Sequence, residues 1–144
     1  MTNIQKIITA GGDSRELFIG AGFGVPKGLV RVGGKSILER ALHSYLSIGD
    51  SATVAINRDE AKEYPIADTV RSVRLDARIV SVNSSVKGAL ATALVAAVDL
   101  ELEAPLVIAA GDSEIAGGLT SHVAKFLESE CHSGTIAFAS ENPR

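Results

Sequence analysis

Residues 6–13, Lys6-Ile7-Ile8-Thr9-Ala10-Gly11-Gly12-Asp13, carry the reading from which the fold follows. A short apolar run stopped by a glycine turn reads as a buried strand. The run Leu106-Val107-Ile108-Ala109-Ala110 repeats the pattern and stops at Gly111-Asp112. Outward from these two, strands are expected at Ala52–Ile56 and Ile79–Val82, and a last one near Thr135–Ala139, with helical segments between them. Four or five strands separated by helices indicate a Rossmann-like, three-layer α/β/α fold with a mostly parallel sheet and right-handed crossovers. Ligands of such sheets bind at the carboxyl ends of the strands. The glycine loop after the first strand and Asp112 after the later one both fall on that edge.

Ser36 and Glu39 form a capping box, in which each side chain bonds the other's backbone N–H. Behind it Ile37, Leu38, Ala41, Leu42, Tyr45 and Leu46 recur at helical spacing, with Gly49 as the stop. Asp59 to about Ser72 reads as one or two helices interrupted by Pro65. Gly88 opens the run ALATALVAAVDLEL, expected to be a helix buried on much of its surface and ended by Pro105. Thr120 or Ser121 is expected to cap a further helix carrying Val123, Phe126 and Leu127. From Asp13 to Val25, glycines at 20, 22 and 24 and the lack of any period indicate a long, mobile, functional loop closed by Pro26-Lys27.

A length of 144 residues suits one domain, 1–144, with a substantial core. Aliphatic residues dominate and tryptophan is absent, which suits buried parallel strands covered by helices. With 14 basic against 17 acidic residues and no basic cluster, no nucleic-acid partner is expected, so any phosphate recognition must be local. The first residues are too short an apolar stretch for a signal peptide, and no run is long enough to span a bilayer. A soluble, cytoplasmic protein without a membrane partner is the expectation, and a homo-oligomer is compatible with it. Cys131 is the only cysteine, which excludes an internal disulfide and a cysteine-based zinc site. His43 and His122 lie in helical segments without partners suggestive of catalysis. Arg71, Arg74 and Arg78 with Asp68 and Asp76 read as a solvated charged face. The ending SENPR follows directly on the expected last strand with no closing helix, so the chain is expected to be a piece of something longer.

Three constellations can carry chemistry. In Ala10-Gly11-Gly12-Asp13-Ser14-Arg15 the glycines let backbone N–H groups approach phosphate oxygens, while Arg15 and the later Lys27 can neutralise charge on a leaving pyrophosphate. A glycine turn of this kind is also common as a purely structural feature. Ser85-Val86-Lys87-Gly88-Ala89 places a glycine and free N–H donors at a helix start, where a flat base can come close; a simple helix start is the alternative. Asp112, after an apolar strand, offers a hard cation one carboxylate, and Glu114 reads as solvated or as support behind it.

The stretches IITAGGDSREL and PKGLVRVGGKSILERAL resemble the opening of nucleotidyltransferases of the sugar-phosphate and molybdenum-cofactor type, which have a GT-A-like fold. Ala10, Gly11, Ser14, Arg15, Pro26, Lys27, Gly34, Lys35, Leu38 and Glu39 match that family's strand, A-G-x-G-[ST]-R loop, Pro-Lys pair and following segment. Gly88 matches the glycine of the family's Gly-Thr-Ala-type segment, with Ala89 in place of the threonine, and FLESECHSGTIAFASENPR is similar to a later family strand. The resemblance implies a nucleoside triphosphate and a small phosphorylated acceptor as partners, with Mg2+ as cofactor and a sugar 1-phosphate as the favoured acceptor. That would place the chain in nucleotide-sugar biosynthesis. It implies Arg15 and Lys27 on the triphosphate, Ala10, Gly11, Gly12, Asp13 and Ser14 in the binding loop, Lys87 and Gly88 at base and ribose, and Asp112 on magnesium. It covers the donor half only; the acceptor half would lie beyond Arg144.

Asp13 departs from the pattern, standing where many members carry a second glycine. Its carboxylate would repel a triphosphate unless magnesium or Arg15 compensates. The favoured expectation is that it turns outward and organises the loop through an Asx-type hydrogen bond. Competing readings are a molybdenum-cofactor nucleotidyltransferase, a glycosyltransferase of related fold and a nucleotide-binding module without catalysis. The glycosyltransferase would use a metal-binding D-x-D, where this chain has Asp112-Ser113-Glu114.

Overall fold

The computed structural model describes residues 3–47 and 50–137. In chain order its elements are β1 (Gln5–Ala10), α1 (Arg15–Gly20), a 3-10 turn (Lys27–Leu29), β2 (Arg31–Val32), β3 (Lys35–Ser36) and α2 (Ile37–Tyr45). There follow β4 (Ser51–Asn57), α3 (Arg58–Glu63), α4 (Ile66–Val73), β5 (Arg78–Val82), α5 (Ala89–Ala96), β6 (Leu106–Ala110) and α6 (Thr120–Glu128). Strands β2 and β3 form a two-stranded antiparallel hairpin, and the other four form a fully parallel sheet in the order β5-β4-β1-β6. No described helix is long and apolar enough to cross a membrane.

Strand β1 lies between β4 and β6, and its successive residues serve opposite faces of the sheet. Ile8 packs with Leu38, Leu42, Val54, Ile66 and Val70 under α2 and α4. Ile7 packs with Ala55, Val82, Ala93 and Ala96 under α5. Helices therefore cover both faces, which is the expected three-layer α/β/α arrangement. Lys6 is buried on the same strand. Its Nζ donates to the Tyr45 carbonyl at 2.6 Å and pairs with Asp50 at 2.5 Å, so the charge is not left uncompensated.

The chain leaves β1 for β4 and β5 on one side, then returns to place β6 on the other side of β1. This reversal is a topological switch point, and it opens a crevice at the carboxyl ends of β1 and β6.

Several expectations need correction. The segment 13–25 is not wholly a loop: it contains α1, held closed by the tilted Phe18–Phe23 ring pair at 5.5 Å and by the Phe23 N–H on the Phe18 carbonyl. A single short turn of helix followed by glycines is too brief to display a period. The alanine-rich helix ends at Ala96 and buries only Thr92, Ala93 and Ala96, while Leu90, Leu94 and Val98 lie exposed. Apolar residues all round that helix hid the narrowness of the face that meets the sheet.

Helix α6 starts at Thr120 without a side-chain cap; buried Leu119 holds the cap position and anchors the helix to the core. Residues 135–137 form no strand, and Phe138 and Ala139 of the expected strand lie outside the described residues, as does the expected stop at Gly49. Arg74 is not solvated: its guanidinium donates to the Ser47 and Asp50 carbonyls at 2.8 and 2.6 Å, besides pairing with Asp76. Arg78 pairs with Asp99.

The capping box of α2 is present as expected, with both reciprocal bonds formed. Ser36→Ala removes the oxygen that accepts from the Glu39 N–H and is expected to cost about 1 kcal/mol in chemical denaturation. The Ser36 N–H on the Glu39 carboxylate holds that carboxyl below the usual glutamate range. A lowered folded-state pKa means that this stabilisation is complete above the ordinary glutamate pKa, about 4.3, and is lost as pH falls through the folded value. A melting temperature followed through acid should therefore fall less steeply below about pH 4.3 in Glu39→Gln than in the unmodified chain.

Candidate functional site

Ala10, Gly12, Asp13, Ser14, Lys27 and Asp112 line one cleft of about 320 Å³ at the switch point, together with Phe18, Leu38, Glu60 and Gly111 among others. Its floor is tight because two backbones meet without side chains between them. The Gly111 N–H donates to the Thr9 carbonyl at 2.9 Å, and a Cβ on Gly111 would stand 2.9 Å from the Ala10 Cβ. This close approach delivers Asp112 to the mouth of the glycine loop. There its carboxylate forms an ion pair with the Lys27 ammonium, so two residues 85 positions apart meet across the cleft.

Arg15 turns away from the floor. Its Nε and Nη2 donate to the two Asp13 oxygens at 3.1 and 2.9 Å, and Nη1 donates to Glu63 at 2.9 Å. The Arg15 N–H also donates to Asp13 Oδ1 at 3.2 Å, which is the Asx-type bond expected for an outward-turned Asp13. The Arg15 side-chain bond pulls the Asp13 carboxyl below its ordinary range, with the Lys87 charge adding to the effect, and Asp13 in turn pushes the guanidinium further up. At neutral pH both partners of the fork are charged.

Ser14 faces inward. Its N–H and its hydroxyl donate to Glu60 Oε1 at 2.7 and 2.8 Å, and its oxygen accepts from the Lys27 N–H at 2.9 Å. Buried Asn57 closes the other side. Its Nδ2 donates to the Gly11 carbonyl at 3.1 Å and to Ser84 Oγ at 3.2 Å, while Oδ1 accepts from the N–H groups of Asp59 and Glu60 at 2.9 and 3.0 Å. The Ser84 hydroxyl donates to Asp59, whose carboxyl it holds low. Reading the sequence missed Asn57, Asp59 and Glu60. The visible mark was Asn57 directly before an acidic first turn, the pattern of a helix cap at a strand's carboxyl end.

Two expected site residues stand apart. Gly88 starts α5 at φ +87°, a conformation that favours glycine, and Lys87 beside it is exposed. Neither lines the cleft. Gly11 is buried, and a Cβ there would lie 3.0 Å from the Thr92 methyl, so its lack of a side chain makes room for α5. A second, wider groove of about 450 Å³ runs along α2 past Lys35, Arg40, His43 and Glu114 and contains none of the expected site residues. Glu114 is engaged by Arg40.

No curated protein matches the chain. A family model, the MobA-like NTP transferase domain, matches residues 6–141, which takes in the strand, the glycine loop, Lys27 and Asp112. With that match over nearly its whole length and with its parallel α/β sheet, the chain belongs to the MobA-like NTP transferase domain family, a family of nucleotidyltransferases.

Proposed function

We propose that this nucleotidyltransferase domain transfers a nucleoside monophosphate from a nucleoside triphosphate to a sugar phosphate, releasing pyrophosphate. The observation that carries the proposal is the meeting of the glycine loop, Lys27 and Asp112 in one cleft at the switch point. A phosphate oxygen of the acceptor attacks the α-phosphorus in line; the new O–P bond forms as the bond to the β-phosphate oxygen breaks. Little covalent help is required, so the residues position the groups and neutralise charge. Gly12 offers its open backbone, Lys27 takes the charge that grows on pyrophosphate, and Arg15 joins it once released from Asp13. Lys87 and Gly88 are assigned to the base and ribose.

Among the described residues no cluster of three metal-ligating side chains exists, and Asp112 offers a single exposed carboxylate. That donor set fits Mg2+, which keeps several waters and takes one or two carboxylates besides phosphate oxygens. Asp112 would hold the ion, which when bound supplies electrostatic stabilisation of the phosphate oxygens. Lys27 then exchanges its carboxylate partner for phosphate.

The resemblance to molybdenum-cofactor nucleotidyltransferases supplies the alternative acceptor for the same chemistry, a cofactor precursor such as molybdopterin. Pyrophosphate release with either acceptor separates the two.

Titration with the four common triphosphates and their monophosphates, with and without magnesium, tests the donor assignment. Magnesium-dependent binding of at least one triphosphate is expected; binding of none would sink the reading. Lys27→Ala and Arg15→Ala should each weaken triphosphate binding by about tenfold, and monophosphate binding much less. Equal losses for the two ligands would contradict their placement on the pyrophosphate part. Asp13→Asn removes a like charge and loosens the fork on Arg15, so triphosphate binding should tighten by about two- to fivefold. A weaker-binding Asp13→Asn would instead make Asp13 a direct participant in binding.

A further inference from the structure

We propose that Glu60 is a positioning residue, which acts through Ser14 to hold Lys27 in place for the triphosphate. The inference rests on the nucleotide reading of the cleft and adds to it a residue outside the glycine loop and the Pro-Lys pair. The direction of the hydrogen-bond chain is forced by its chemistry. A backbone N–H only donates, so Ser14 Oγ is the acceptor for Lys27, and the single hydroxyl proton of Ser14 goes to Glu60. The Ser14 N–H donates to the same carboxylate oxygen, so Glu60 holds both the main chain and the side chain of Ser14.

The anchor itself is firm. Glu60 is 3% exposed, and its own N–H is bonded to the Asn57 cap. Hydrogen bonds to a carboxylate are stronger than neutral ones, and here two donors converge on one oxygen. Residues 14 and 27 end the segment that contains α1, and this chain ties those two ends together across the cleft floor. Pro26 is fully buried beside the tie, so the Lys27 main chain is fixed from both directions while its ammonium reaches Asp112. Release of Ser14 removes the only side-chain bond to the Lys27 N–H and leaves its main chain to buried Pro26 and the Val30 N–H on the Lys27 carbonyl.

Glu60→Gln keeps a carbonyl oxygen for Ser14 but removes the charge; Ser14→Ala breaks the same chain with a surface-sized change and serves if the first variant does not fold. Two measurements are needed. In the ligand-free chain, hydrogen exchange of the Lys27 amide is expected to rise about tenfold in either variant, with the β4 amides unchanged. Dissociation constants are then taken for a magnesium triphosphate and the matching monophosphate, in the unmodified and Lys27→Ala backgrounds. Glu60→Gln should weaken triphosphate binding about tenfold, change monophosphate binding little, and cost nothing more once Lys27 is alanine. An equal loss in both backgrounds, or an unchanged Lys27 amide, would overturn the role of Glu60 while leaving the nucleotide site standing. Failure of the unmodified chain to bind any triphosphate would overturn the nucleotide reading and the catalytic purpose of the tie together.

Discussion

The Asn57 carboxamide is the point on which the arrangement of the cleft depends. A primary amide has two donors and two acceptor lone pairs, and here all four are engaged while the side chain is fully buried. The two donors bind the Gly11 carbonyl and Ser84, and the two lone pairs start α3. One side chain at the end of β4 thus joins the glycine loop, the segment leading to Gly88 and the helix that carries Asp59 and Glu60. A buried polar group of this kind is costly unless fully satisfied, so the loops have one arrangement that meets its requirement.

The charges of the cleft are balanced by other residues of the chain. Arg15 is held by Asp13 and Glu63, and Lys27 by Asp112. These pairs are partly exposed, so each contributes little to stability, and their exchange for other anions is cheap. The two cations are thus ordered by their carboxylate partners without a deep electrostatic trap. Asp13 fits the same scheme: in the glycine position of the family pattern it is a partner for Arg15, not an isolated negative charge facing the cleft.

Much of the fold was legible because strands of a parallel sheet bury both faces and read as unbroken aliphatic runs. Residues 106–110 read that way although Leu106 and Ile108 stand exposed, 6–9, 52–56 and 79–82 came near it with polar residues among the aliphatic ones, and the Ser36–Glu39 box marked α2 through local hydrogen bonds. Helix α1 was missed because six residues give less than two turns. The extent of α5 was misread because its apolar composition carries no face: burial of Thr92, Ala93 and Ala96 against Gly11 and β1 is a property of the packed molecule. Likewise Leu119 replaces a polar cap at α6 because the core had room for it, which no local pattern discloses.

In the cleft the division is similar. Residue types along the chain determined the parallel α/β class, the edge of the sheet where a ligand would lie, and Ala10, Gly12, Asp13 and Ser14, with Lys27 and Asp112, that line the cleft there. These follow from local chemistry: glycine turns after strands, and charged groups placed just beyond them. Tertiary structure alone decided that Lys27 meets Asp112, that Glu63 joins Asp13 in holding Arg15, and that Glu60 and Asn57 lie beneath the loop. These contacts join residues up to 85 positions apart. They exist because the strand order brings β1 between β4 and β6, and a linear pattern contains no term for that adjacency.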